Sequence, residues 1–253
     1  MRGFMVTLTL ILGSLFVASA MGFAGEPEDR EGITELGEIV VTATRVETPI
    51  KEVASSITII TGEEIESQHE LSVLEVLREV PGLDVVQTGG PGQTASIYIR
   101  GANAEHTLVL VDGVEANDPS SPNRSYDFAH LTVDNIERIE IIRGPQSPLY
   151  GSDAIGGVIN IITKKGVGKP RLLFSAEGGS FTTLRGRLGV QGGSERLNYS
   201  LNLSQTNTDG ISAAAERYGN TEKDGYKNTS ISARLGVAPR ENVDIDFIIR
   251  RIE

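Results

Sequence analysis

The sequence predicts an exported protein in two parts: an α+β domain, then the first antiparallel strands of a large transmembrane β-barrel. Three observations carry that expectation. An apolar leader opens the chain, and a stretch dense in helix caps, β-branched runs and Gly/Pro turns follows it. Beyond Gly166, apolar and polar residues alternate in segments of about ten residues, the length of a membrane-crossing strand.

Arg2 places a positive charge ahead of the apolar run from Phe4 to Val17, which is too short for a comfortable membrane span. Ala18-Ser19-Ala20 and Gly22-Phe23-Ala24 each offer small residues for cleavage, so residues 1–24 are expected to be a signal peptide. Residues 25–48 follow as a flexible segment, acidic and aperiodic from Glu26 to Gly37. Within it, at 37–44, stands the run Glu38-Ile39-Val40-Val41-Thr42-Ala43-Thr44, short, β-branched and without a local partner. Such a run suits addition to the edge of another protein's sheet, with an ordinary first strand as the alternative.

Residues 49–165 read as the α+β domain. Ser56 to Ile60 is a strand, and Thr61-Gly62-Glu63-Glu64 has capping-box spacing for a short helix. Ser72-Val73-Leu74-Glu75 repeats the signal, Val73, Val76, Leu77 and Val80 follow at helical spacing, and Pro81-Gly82 stops that helix. Strands are expected at Leu83 to Gln87, Ser96 to Arg100, Thr107 to Val111, Ile136 to Ile142 and Val158 to Thr163. Asp112-Gly113 supplies a tight turn into Val114-Glu115. The Gly- and Pro-rich stretch from Arg143 to Gly157 is expected to be irregular.

Residues 166–253 change in kind. Leu184, Leu188 and Val190, then Leu197, Tyr199, Leu201 and Leu203, then Ile231, Ala233, Leu235 and Val237, then Val243, Ile245, Phe247 and Ile249 each alternate with polar or small neighbours. The pattern fits a wall with lipid outside and water inside, although a soluble sandwich shows the same period. Gly192 to Glu195 and Ala238 to Asn242 would be short turns, and Asn207 to Lys227 a long outer loop. Roughly five strands can be counted against about 22 in plugged outer-membrane transporters, so the barrel is expected to be incomplete. The terminal Arg250-Arg251-Ile252-Glu253 shows no aromatic closing strand, which points the same way.

Composition narrows the function classes. A net charge of -11 disfavours nucleic acid as a partner, and no cysteine is present for disulfides or thiolate metal sites. His69, His106 and His130 show no metal-binding spacing, no catalytic motif is found, and neither an enzyme nor a cofactor is expected. Glu63 and Glu64 sit where a helix N-terminus favours negative charge.

Three motifs in order carry a family resemblance. Glu38 to Ala43 resembles the TonB box, the segment by which TonB-dependent outer-membrane receptors engage TonB. Ile97-Tyr98-Ile99-Arg100-Gly101 with Leu108 to Val114 is similar to the centre of that family's plug domain. Ile139 to Pro145, followed by Leu149 to Thr163, is similar to its most specific signature. Within the family, the spacing from Pro81 to Asn103 is similar to that of vitamin B12 (cobalamin) receptors.

The resemblance implies an α+β plug at 49–165 inside a barrel in the outer membrane. Its partners would be TonB with its inner-membrane energising complex, and a scarce nutrient such as cobalamin or an iron chelate. It places Thr88, Thr94, Ser96, Asn103, Ser121 and Pro122 near the ligand. It also implies that Arg100 and Arg143 pair with glutamates of the barrel wall. Cobalamin receptors bind calcium through an outer loop, but here only Asp209, Glu222 and Asp224 are offered, so no metal site is expected. Siderophore or haem receptors, a soluble periplasmic plug and a non-transporting fragment are the alternative readings.

Overall fold

The computed structural model describes residues 40–43, 48–49, 55–194, 196–240 and 242–253. The expected signal peptide at 1–24, the acidic tail, and Glu38, Ile39 and Thr44 of the box lie outside the described residues.

The α+β domain begins with a two-residue ladder, in which β1 (Val40–Val41) pairs antiparallel with β2 (Thr48–Pro49). Strand β3 (Ser56–Thr61) leads into helix α1 (Gly62–Gln68) through the expected capping box. Thr61 Oγ1 accepts from the Glu64 amide at 3.2 Å, and the Glu64 carboxylate accepts from the Thr61 amide at 2.7 Å. Such a cap is worth about 1 kcal/mol. Gly62 starts the helix because a Cβ there would lie 2.8 Å from the Ile136 carbonyl oxygen. Helix α2 (Val73–Arg78), capped by Ser72, buries Val73, Leu74, Val76 and Leu77. The hairpin of β4 (Leu83–Gln87) and β5 (Ala95–Ile99) follows.

The main sheet contains β3, β6 (Thr107–Val111), β7 (Val114–Glu115), β8 (Ile136–Arg143) and β9 (Gly157–Thr163), in the order β3-β8-β9-β6-β7. Only β6 and β9 run parallel in it. The predicted Asp112-Gly113 turn is present with φ of +51° and +80°, as a tight primed hairpin turn requires. On one face, Val109, Ile139, Ile141, Ile159 and Ile161 pack with Leu77, Ile97, Ile99, Phe128 and Leu131. The opposite face carries Leu108, Leu110, Ile142 and Val158, covered by Ala43, Ala154 and Tyr150.

Two local expectations need correction. The stretch from Arg143 to Gly157 is not wholly irregular: it holds a one-turn helix, α3 (Ser147–Tyr150), and a 3₁₀ turn (Gly151–Ala154). Pro148 lies in the first turn of α3, where a missing N–H costs nothing. Strand β5 stops at Ile99, because Arg100 and Gly101 turn the chain with φ of +51° and +77°.

The second region is a purely antiparallel meander of β10 (Arg171–Gly179), β11 (Thr183–Gly193), β12 (Leu197–Thr208), β13 (Tyr226–Arg240) and β14 (Val243–Ile252). Strands β10 and β14 each have one neighbour in this sheet, which is open. Phe174, Leu184, Leu188, Leu201, Ile231, Leu235, Phe247 and Ile249 are exposed, whereas Arg185, Ser200, Ser204, Asn228, Ser230, Ser232 and Arg234 are buried. A soluble sandwich would bury the apolar set. The inverted arrangement is that of a barrel wall, apolar towards lipid and polar towards the interior. No helix among the described residues is long and apolar enough to cross a membrane, which does not bear on strands.

Candidate functional site

Thr42 and Ala43 follow directly from β1 and lie on the second face of the main sheet. Register places Ile59, Glu140, Asn160 and Leu110 in one row across β3, β8, β9 and β6, with two polar groups at its centre. Glu140 is 0% exposed and Asn160 is 2% exposed. A buried carboxylate needs partners, and here the N-terminal segment supplies several. Glu140 Oε2 accepts from the Thr42 amide at 3.0 Å and from the Ala43 amide at 2.9 Å. Its Oε1 accepts from Arg138 Nε at 2.9 Å. Asn160 Nδ2 donates to Thr42 Oγ1 at 3.1 Å and to Glu140 Oε2 at 3.3 Å. From α3, the Tyr150 hydroxyl donates to the Ala43 carbonyl at 2.9 Å. Ala43 is completely buried, while a cavity of about 790 Å³ lined by Thr42, Leu110, Arg138, Tyr150 and Asn160, among others, opens beside it.

A second set of contacts seats the domain on the wall. Asp134 Oδ1 accepts from Arg185 Nη2 at 2.7 Å and from Arg187 Nη1 at 3.3 Å. Asn135 holds a left-handed conformation, with φ of +65°, and bonds to Ser200 and Ser232 of the wall. Arg234 reaches from β13 to Asp112 at 3.1 Å and to Asp246 at 2.8 Å. His130 stacks on Tyr226 with ring centroids 5.9 Å apart, and Asn228 donates to the His130 carbonyl. At Asp112 and Asp134 the domain thus offers the acid and the wall the arginines.

Residues 49–158 match the family described as the TonB-dependent receptor plug domain. This chain carries a TonB-dependent receptor plug domain. Over 201 residues, 78% of the chain, it is 42% identical to the vitamin B12 transporter BtuB of Photobacterium profundum. Over 125 residues, 49% of the chain, it is 50% identical to the vitamin B12 transporter BtuB of Vibrio vulnificus. The matched parts span 32% and 20% of those relatives, so the chain covers a third or less of their length. The solved siderophore receptor PirA from Acinetobacter baumannii shares the fold at a TM-score of 0.62 and 27% identity, covering 85% of this chain and 33% of that one.

The plug brings only some of the residues expected near the ligand together. Thr88 and Thr94 close the β4–β5 tip, with the Thr88 amide and hydroxyl both donating to the Thr94 carbonyl. Ser96 lies two residues further along that hairpin, opposite Val86. The Tyr226 ring supports this tip, since a Cβ on Gly92 would lie 2.5 Å from it. Asn103 starts a separate 3₁₀ turn, Ala104–His106. Ser121 and Pro122 belong to another loop, ordered by Ser121 Oγ on Asn123 and by Ser120 on Asp118. Those Ser120 hydrogen bonds hold the Asp118 carboxyl below its ordinary pKa.

Arg100 is exposed at its turn. Arg143 donates to the Pro81 carbonyl at 2.5 Å and to Thr58 Oγ1 at 2.6 Å, and its Nε is buried without a hydrogen-bond partner among the described residues. Neither arginine forms an ion pair among the described residues. In the loop between β12 and β13, Asp209 faces Lys223 and Thr182, Glu222 faces Ser212, and Asp224 accepts from the Ala213 amide.

Sequence reasoning missed the partners of the box. Asn160 was a legible signal all the same: it stands between apolar residues inside β9, where an unpartnered polar group is costly. Glu140 was a weaker one, because β8 also holds Glu137, Arg138 and Arg143. Tyr150 carried no comparable signal.

Proposed function

We propose that this receptor binds cobalamin on the outer side of the outer membrane and passes it to the periplasm, driven by TonB. The observation that carries the reading is identity to two vitamin B12 transporters at 42% and 50%. Export by residues 1–24 and insertion of the apolar wall belong to the same reading. In it, Thr88, Thr94, Ser96, Asn103, Ser121 and Pro122 contact the ligand. Ligand binding loosens the segment Glu38 to Thr44, TonB takes it up as an added strand, and the resulting pull loosens the plug. Arg100 and Arg143 pair with glutamates of the wall, which would give the unpartnered Arg143 Nε an acceptor.

A siderophore receptor is the second reading, favoured by the shared fold of PirA. Titration of the purified receptor with cyanocobalamin and, separately, with ferric siderophores tests the two. Saturable binding of cobalamin is expected, weakened roughly tenfold by Asn103→Ala, as the loss of one hydrogen bond at a binding site would do. Saturable binding of a ferric siderophore without binding of cobalamin would favour the second reading.

A further inference from the structure

We infer that Glu140, with Tyr150 and Asn160, forms a latch that must open before the box segment can be captured as a strand. The inference rests on the strand-capture reading above and adds its control. In an extended strand, successive amides point to opposite sides. The Thr42 and Ala43 amides instead converge on one oxygen, Glu140 Oε2, at 3.0 and 2.9 Å. Successive amides facing one anion make a nest, which is a bent conformation. Tyr150 takes the Ala43 carbonyl as well, at 2.9 Å. Both amide donors of this pair and one of its carbonyl acceptors are therefore occupied by plug side chains.

A partner strand added at one edge needs the amide of one residue of this pair for its ladder, and whichever edge it takes, that amide is already held. Docking to the plug and pairing with a partner are thus mutually exclusive at Thr42 and Ala43. The latch is also built to be replaceable. Arg138 stays on Glu140 at 2.9 Å, so the carboxylate keeps a counter-charge when the segment leaves. The cavity beside Thr42 gives water a route to the vacated groups.

Two variants test the latch in the full receptor, read by amide hydrogen exchange at Thr42 and Ala43 with no TonB present. Tyr150→Phe should speed exchange roughly fivefold, the worth of one neutral hydrogen bond. Glu140→Ala should speed it roughly fiftyfold, because a charged acceptor of both amides is lost. In Tyr150→Phe, the amides of Ile139 to Ile142 should exchange as in the parent, which separates release of the segment from general loosening. If Glu140→Ala does not fold, Tyr150→Phe carries the test. Affinity for the purified periplasmic domain of TonB, without nutrient, should rise by the same factor as the exchange rate.

Unchanged exchange in a folded variant overturns the latch. Faster exchange with unchanged TonB affinity overturns its competition with capture. Faster exchange with no TonB binding in any form leaves the latch standing and overturns the strand-capture reading instead.

Discussion

Val41→Pro is expected to abolish nutrient uptake while leaving nutrient binding unchanged. Proline has no amide hydrogen and cannot donate to a ladder, so a box carrying it cannot be added in register to a TonB sheet edge. The plug itself loses little, because Val41 belongs to a ladder of only two residues with Thr48–Pro49. The groups assigned to the ligand lie elsewhere, at the β4–β5 tip and the loops beyond it. Val41→Ala, which keeps the amide, should transport normally. Accumulation of labelled nutrient in cells and equilibrium binding to the purified receptor give the two readings, and normal uptake by the proline variant would remove the box from the mechanism.

Arg234→Ala should destabilise the seating of the plug by about 3 kcal/mol, the range for one partner lost from a buried ion pair. The side chains of Arg234 and Asp112 are 6% and 3% exposed, so solvent screens the pair little. Asp112 would keep two donors, the Thr163 amide at 2.9 Å and the Thr163 hydroxyl at 2.8 Å, which holds the cost at the low end. Arg234→Lys should restore only part of the loss. The guanidinium bridges Asp112 through Nη1 and Asp246 through Nη2 and Nε, and an ammonium cannot span both. Denaturant midpoints for Arg234→Ala, Arg234→Lys and Asp112→Ala measure this, and equal midpoints for parent and Arg234→Ala would show that the pair contributes nothing.

Much of the fold was legible because local rules and tertiary packing agree. Thr61 and Glu64 form the capping box their spacing announces, Asp112-Gly113 makes its turn, and β8 and β9 are rich in β-branched residues. The wall strands betray themselves by period. Which face met lipid did not follow from period, since a sandwich alternates equally, and it became clear only when the polar face was seen covered by the plug. Strand β10 was the least visible, because Leu172, Leu173 and Phe174 break the alternation.

The site was less legible than the fold, for a physical reason. Its contacts join residues far apart in the chain: Thr42 to Glu140 is separated by 98 positions, and Asp112 to Arg234 by 122. No periodicity reports such a pairing. Asn160 stands among apolar residues in β9 and so needs a partner, but only the sheet register, which sets it beside Glu140, decides which one.

TonB-dependent cobalamin uptake is the most direct test of the account. Cells lacking their own cobalamin importer, producing this receptor with or without TonB, would be given labelled cyanocobalamin. Accumulation that requires TonB and withstands an excess of ferric siderophore is the predicted result. Equal accumulation without TonB, or accumulation of the iron chelate in place of cobalamin, would contradict it.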